Sequence, residues 1–91
     1  MSRSKKRTIK ALEEELQKAL DANAIKDYNF FGGTNSIYRP YVIVNLHNTT
    51  SGRIKQKIIE YIYDTYDNIH CVELVNQKSC ICIDYDREEI E

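Results

Sequence analysis

Tryptophan is absent from this sequence, which also has only one proline, one methionine and three glycines. The scarcity of proline and glycine argues against a low-complexity or disordered chain, because such chains are usually rich in both. Hydrophobic residues instead make up 42% of the sequence, with seven tyrosines and two phenylalanines among them. The length of 91 residues therefore predicts one small folded domain.

Neither sign of charge dominates, since 13 Lys and Arg residues stand against 14 Asp and Glu residues, giving a formal net charge of −1. This balance excludes a uniformly basic, histone-like protein and a strongly acidic mimic of nucleic acid. Apolar runs are only a few residues long, far below the roughly 20 that span a membrane, so we expect no membrane association. Three cysteines do not form the even set of a secreted disulfide framework, so we expect reduced thiols and a cytoplasmic location.

Hydrophobic spacing divides the chain into two halves, each a helix followed by two strands. In the first half, apolar residues recur at helical spacing from Ile9 to Leu20, directly after the possible cap Thr8. The second helix, with Thr50 or Ser51 as its cap, has a predicted buried stripe formed by Ile54, Ile58, Tyr61, Ile62 and Thr65. The predicted strands are a segment within 26–31 and the segments 41–46, 71–75 and 80–85.

The order α-β-β-α-β-β resembles a circular permutation of the ferredoxin-like βαββαβ pattern, with the last strand in the place of the usual first. The resemblance implies an α+β domain in which two helices cover one face of a four-stranded antiparallel sheet. It places strands 41–46 and 80–85 at the centre, and these are the two most apolar strands. We expect this single domain to span residues 8–91, preceded by a mobile basic arm, residues 1–7.

Alternation along the strands predicts which side chains face the helices. The predicted core set is Val42, Val44, Leu46, Val72, Leu74, Ile81, Ile83 and Tyr85. The opposite face keeps several apolar side chains with no helix to cover them, which favours an interface and, most simply, a homodimer. Exposed tyrosine and arginine are also typical of interfaces. The predicted interface residues are Tyr38, Arg39, Tyr41, Ile43, Tyr63, Cys80 and Cys82.

Positive charge is concentrated in two segments of the chain. Five of the first ten residues are basic, and basic arms bind phosphate backbones. In the segment 51–57, small residues precede a helix start, where free N–H groups can meet an anion. Three cations there oppose the helix dipole, which indicates that they serve a ligand. The predicted nucleic-acid contacts are Arg3, Lys5, Lys6, Arg7, Lys10, Ser51, Gly52, Arg53, Lys55 and Lys57.

No motif in the sequence declares a catalytic, cofactor or metal site. The phosphate-binding spacing G-x-x-x-x-G-K-[ST] and the zinc-binding C-x-x-C are both absent. Cys71, Cys80 and Cys82 leave a zinc site or a histidine-activated thiol as alternatives, but free cysteines that pack as small hydrophobes are favoured. The acidic runs 13–15 and 84–91 are predicted to be solvated surface. We therefore predict no enzyme, no metal and no cofactor.

Two functional hypotheses follow from these patterns. The leading hypothesis is a small non-enzymatic protein that binds nucleic acid through the arm and the start of the second helix. The alternative is a protein-interaction module, such as an inhibitor, an adaptor or a viral anti-defence factor. Balanced net charge favours the alternative, whereas clustered positive charge favours the leading hypothesis. Ile, Lys, Asn and Tyr supply 34 of the 91 residues, a bias typical of AT-rich genomes; a phage or viral accessory protein would act in the host cytoplasm.

Overall fold

Both helices begin at hydroxyl residues that the sequence favours as caps. The computed structural model describes residues 6–32, 39–75 and 79–86. Thr8 Oγ1 accepts a hydrogen bond from the Ala11 N–H, and Ser51 Oγ accepts one from the Ile54 N–H, each at 3.2 Å. Each cap satisfies an N–H group that a helix start leaves free. The elements are α1 (Ile9–Asp21), β1 (Asp27–Phe31), β2 (Tyr41–Asn45), α2 (Gly52–Thr65), β3 (Ile69–Leu74) and β4 (Cys80–Tyr85).

The four strands form one antiparallel sheet in the order β1-β2-β4-β3. A permuted ferredoxin-like arrangement requires this order, with β2 and β4 at the centre, so the predicted fold class is confirmed. Across the two central strands, Val42 pairs with Ile83 and Val44 pairs with Ile81. Opposed residues of antiparallel strands share a face, so the register gathers the predicted core residues on one side of the sheet.

The two helices and one face of the sheet enclose the hydrophobic core. Ile81 and Ile83 of the central strand β4 are both 0% exposed, and Val42 of β2 is equally buried. The side chains that the helices and connections add to this cluster are Leu12, Leu16, Ile25, Leu46, Ile59, Ile62 and Tyr66. Both helices are amphipathic, and in the described part of the chain no helix is long and apolar enough to cross a membrane.

The predicted buried stripe of α2 is partly wrong. Ile54 and Tyr61, predicted to be buried, are 51% and 45% exposed, whereas the buried Ile59 was not in the predicted stripe. Apolar residues surround much of this helix, so its spacing is compatible with more than one rotation. In the observed rotation, α2 buries Ile59 and Ile62, and Tyr66, which directly follows the helix, is buried as well. Leu74 lies on the predicted face but is 39% exposed, because β3 is an edge strand.

The chain before α1 is fixed to the end of α2. The Arg7 N–H donates to the Thr65 carbonyl, and the Asp67 N–H donates to the Arg7 carbonyl, each at 2.8 Å. These bonds make Arg7 a parallel bridge partner of Tyr66. Arg7 was expected to be the last residue of a mobile arm, and it is instead held by the domain.

Helix α2 also covers the outer edge of the sheet at β3. The Val72 N–H donates to the hydroxyl of Tyr63 at 2.8 Å. Exposed backbone groups of an edge strand can pair with other chains, and this contact occupies one of them. Tyr63 therefore contacts the protein's own edge strand. It is still 39% exposed, so the predicted interface role stays a prediction.

The end of β1 requires a glycine at position 32. Gly32 has φ of 86°, a left-handed conformation that is costly for residues with a side chain. A Cβ at this position would lie 2.8 Å from the Cα of Pro40. The close approach holds the end of β1 beside the start of β2, where Phe31 pairs with Tyr41.

Candidate functional site

The sheet face turned away from the helices carries most of the predicted interface. Strand register arranges its side chains in three rows that run from β1 to β3. The rows are Asp27, Asn45, Cys80 and Val75; Asn29, Ile43, Cys82 and Glu73; and Phe31, Tyr41, Asp84 and Cys71. We call this surface the open face, because among the residues that the structure describes no helix or strand covers it.

A band of apolar and thiol side chains crosses the open face diagonally. This apolar band consists of Phe31, Tyr41, Ile43, Cys82, Cys80 and Val75. At one end, the rings of Phe31 and Tyr41 stack with their centroids 5.1 Å apart and their planes at 21°. Phe31 is 42% exposed, and the other members are half-buried. A contiguous apolar patch with a polar border is typical of a protein interface.

Three carboxylates border the apolar band. Asp27 lies at the β1 corner, Glu73 lies on β3, and Asp84 lies opposite Tyr41 in the third row. Asp27 Oδ1 accepts a hydrogen bond from Asn45 Nδ2 at 2.6 Å, which fixes its position at the corner. None of the residues in the three rows is a lysine, an arginine or a histidine. The three rows are therefore negative in formal charge, and one cation, Lys26, lines the depression at their border that Asp27 and Cys80 also line.

Arg39 lies just beyond the Phe31–Tyr41 end of the open face and forms one partly exposed ion pair. Its Nη1 is 2.5 Å from Asp86 Oδ1 in an ion pair whose two side chains are both substantially exposed. The pair neutralises itself, so it leaves the charge of the open face unchanged. Arg39, one of the predicted interface residues, thus lies beside the open face and not within its three rows.

The Cys82 thiol is held in its protonated form. Its Sγ is 3.6 Å from Asp84 Oδ1. Burial, reinforced by the negative charge of Asp84 and then by Glu73 and Cys80, raises the pKa of Cys82 from 9.0 to about 11. A protonated thiol is a poor nucleophile, so Cys82 packs as a small apolar side chain. In the ranges that the structure describes, no three His, Cys, Asp or Glu side chains are placed to hold a metal ion.

The predicted nucleic-acid contacts within the described chain form two separate groups. Near the C-terminal end of α2, Lys6 Nζ donates to the Tyr63 carbonyl at 3.3 Å, and Arg7 Nη1 lies 3.6 Å from Glu15 Oε1. Lys10 is exposed near them on α1. The other group, at the N-terminal end of α2, is Ser51, Gly52, Arg53, Lys55 and Lys57. A helix of 14 residues is about 20 Å long, so the two groups do not form one surface.

The basic side chains at the start of α2 have fewer described polar contacts than Lys6 and Arg7 have. Arg53 and Lys57 are exposed, Lys55 is half-buried, and among the described residues none of them has an ion-pair partner. Apart from Gly52 itself, its chain neighbours and the backbone of its own helix, no described atom lies within 4 Å of the place where a Cβ of Gly52 would be. Ser51 is the helix cap, as its position in the sequence predicts.

Some predicted site residues cannot be placed, because they lie outside the described ranges. These residues are Arg3, Lys5 and Tyr38, together with the acidic tail after residue 86.

A polar cluster that the sequence analysis missed joins the two helices. Glu15 of α1 accepts hydrogen bonds from the hydroxyl of Tyr61, at 2.9 Å, and from the hydroxyl of Tyr66. Burial and then the hydrogen bond to Glu15 raise the pKa of Tyr66 well above its ordinary value. Glu15 was expected to be solvated surface, and it instead bridges the helices above an apolar cavity of about 220 Å³. Its sequence gives no signal for this role, because the tyrosines are 46 and 51 residues away.

Phe31 was also missed as a member of the interface, although the sequence held a signal for it. Strand alternation places Phe31 on the same face as Asn29 and Asp27, and antiparallel pairing with the next strand places it beside Tyr41. The sequence does not define the pairing register between β1 and β2, and this register is needed to place Phe31 beside Tyr41.

Comparisons of this chain with protein-family models, with curated proteins and with solved structures found no match.

Proposed function

We propose that this protein is a non-catalytic protein-interaction module that binds its partner through the open face. The observation that carries the proposal is the apolar band, four of whose six members lie on the two central strands and which no described element covers. Placing Ile43, Cys80 and Cys82 there leaves apolar surface in water, and contact with a partner removes that cost.

The composition of the open face supports a protein as the partner. Tyrosine and phenylalanine provide large contact areas with few freely rotating bonds, as in many interface centres. Three carboxylates around the apolar band repel phosphate groups, so the face is unsuited to a nucleic-acid backbone. The protonated Cys82 thiol also supports a contact role over a catalytic one.

The test compares one substitution on the open face with one on the helical side. Ile43→Lys inserts a charge into the middle of the apolar band, whereas Arg53→Glu changes an exposed charge at the start of α2. Both variants should keep the circular dichroism spectrum of the unaltered protein. In pull-downs from the source organism's lysate, Ile43→Lys should lose specific partner proteins that Arg53→Glu retains. Equal partner lists for both variants would exclude the open face as the binding surface.

Nucleic-acid binding remains a second candidate, supported by the group at the start of α2. Arg53, Lys55 and Lys57 lie together there without ion-pair partners among the described residues. Phosphate contacts of this kind weaken steeply with salt. In fluorescence anisotropy with single- and double-stranded DNA and RNA, binding should fall by orders of magnitude between about 50 and 200 mM salt. It should also disappear in the double variant Arg53→Glu/Lys57→Glu; no binding at about 10⁻⁴ M protein contradicts this candidate.

The location and the assembly of the protein are predicted from the sequence alone. A cytoplasmic location, in the host cytoplasm for a viral protein, stays a prediction from the odd number of cysteines. The homodimer likewise stays a prediction from the sequence, and sedimentation velocity measures it directly.

A further inference from the structure

The open face combines apolar contacts with charge of only one sign. Asp27, Glu73 and Asp84 lie on both sides of the apolar band, and no cation lies in the three rows. Two cations lie beside the rows: Arg39 is ion-paired with Asp86 at 2.5 Å, and Lys26 lines the depression at the Asp27 corner, away from Glu73 and Asp84. A protein surface that docks here without cations of its own leaves three carboxylates partly desolvated and unpaired, which is costly.

A second copy of the chain that docks by the same face does not meet this requirement. In a two-fold symmetric contact, each open face meets an identical open face. Each copy then brings three carboxylates, and no cation from its three rows, to the shared contact, and burying charge of one sign there without a counter-charge is destabilising. The charge pattern therefore disfavours the face-to-face homodimer and favours a partner of opposite charge.

We infer that the open face binds a partner protein segment that presents lysine or arginine side chains around an apolar centre. This inference rests on the proposed function and names the chemistry of its partner. The apolar centre of the segment contacts Ile43 and Cys82 in the middle row. Its cations pair with the carboxylates at the border of the band.

The third row offers a specific place for an arginine. Tyr41 and Asp84 are directly opposed across β2 and β4, and the Tyr41 ring is stacked with Phe31. An arginine can pair its planar guanidinium with a carboxylate and contact an aromatic ring at the same time, which a lysine does less well. Arginine at this position therefore binds more tightly than lysine.

The experiment uses three synthetic peptides as probes and the full-length, ¹⁵N-labelled protein. The peptides share the same valine and leucine positions and differ only in their flanking residues, which are arginine, glutamine or glutamate. Amide chemical shifts identify the bound surface and give each dissociation constant at about 10 and about 100 mM salt, between which the Debye length falls from about 30 to about 10 Å. The arginine peptide should shift amides of β1, β2 and β4 on the open face and should bind more weakly at the higher salt concentration.

A charge-neutral variant and a matched control isolate the contribution of the carboxylates. Asp27→Asn/Glu73→Gln/Asp84→Asn removes the three charges and keeps the size of the side chains. The control, Glu13→Gln/Glu14→Gln/Asp64→Asn, removes three exposed charges from the helices. The first variant should weaken the arginine peptide about tenfold, the combined effect of three exposed charge pairs, and the control should change its affinity less than about twofold.

Each other outcome overturns the inference in a recognisable way. Equal binding of the arginine, glutamine and glutamate peptides at the open face contradicts the charge requirement but leaves the proposed function intact. If the protein dimerises through the open face in sedimentation and no peptide binds there, the partner of this face is a second copy of the chain. Shifts confined to the helices, or none with any peptide, contradict both the inference and the proposed function.

Discussion

The two faces of the sheet are made by the same strands and differ in almost every physical respect. On the covered face, Val42, Ile81 and Ile83 are 0% exposed and belong to the hydrophobic core cluster. On the open face, their immediate neighbours in sequence, Ile43 and Cys82, are half-buried and lie among carboxylates and amides. Alternation along a strand thus separates the residues of the core from those of the proposed binding surface.

The residue types on the two faces suit these different environments. Branched aliphatic side chains fill the centre of the covered face, where close packing is required, and Tyr28 and Phe30 pack against them at the β1 edge. The open face uses tyrosine, asparagine and cysteine, which tolerate both water and contact with a partner. We therefore expect substitutions on the covered face to change stability more than substitutions on the open face, whose main effect under the proposed function is on binding.

The largest expected effect comes from shortening one isoleucine on each face. Ile83→Ala should lower the free energy of unfolding by about 2–5 kcal/mol, because it leaves a cavity in the core. Ile43→Ala should cost less than about 1 kcal/mol, because its side chain is already partly in water. Urea unfolding followed by circular dichroism measures both. A similar loss for Ile43→Ala would mean that the open face is buried in a stable assembly.

A smaller effect is expected from the polar groups of the two sides. Glu15→Ala should cost about 1–3 kcal/mol, because it removes the carboxylate that accepts from the hydroxyls of Tyr61 and the buried Tyr66. Asp27→Ala removes an exposed hydrogen bond to Asn45 and should cost at most about 1 kcal/mol. Thermal unfolding at neutral pH ranks the two variants. The reverse order would show that the polar network of the open face, and not the helix bridge, supports the fold.

The smallest effect concerns the Cys82 thiol at alkaline pH. Its pKa of about 11 in the folded protein lies above the ordinary 9.0, so the folded state keeps its proton longer than the unfolded state. The associated stability is present below pH 9 and is lost as pH rises from about 9 through about 11. Cys82→Ser should flatten the dependence of stability on pH in this range.

Asp84→Asn separates the two main causes of that raised pKa. In a background with Cys71→Ser and Cys80→Ser, the ultraviolet absorbance of the thiolate gives the pKa of Cys82 directly. The substitution should lower this pKa only in part, because burial is the larger cause and Asp84 the second. An unchanged pKa would contradict a contribution from the carboxylate.

The sequence was most informative where a pattern is local. Period-two alternation assigned Val42, Ile81 and Ile83 to the core and Ile43 and Cys82 to the opposite face, and the register confirms both assignments. Strand β4 was also predicted with the bounds that the structure gives it. Alternation depends only on the geometry of an extended chain, so no knowledge of distant residues was required.

The sequence was least informative where contacts between residues far apart in the chain determine the structure. The rotation of α2 depends on contacts with the sheet and with Tyr66, and the helix itself carries apolar residues on several sides. Glu15 acquires its role from two tyrosines on the other half of the chain. The separation of the cations at the two ends of α2 likewise depends on Arg7 pairing beside Tyr66. Spacing along the chain carries none of this information.

The backbone contacts of Arg7 and Asp86 give the fold a nearly circular path. The Asp67 N–H bonds to the carbonyl of Arg7, and the N–H of Asp86 bonds to the carbonyl of Asn68, each at 2.8 Å. Both ends of the described chain therefore meet at the same two neighbouring residues. A short link from Asp86 to Arg7 closes a ring, and opening that ring between β3 and β4 produces the order βαββαβ with the same packing. The unusual element order is thus a matter of where the ring is cut.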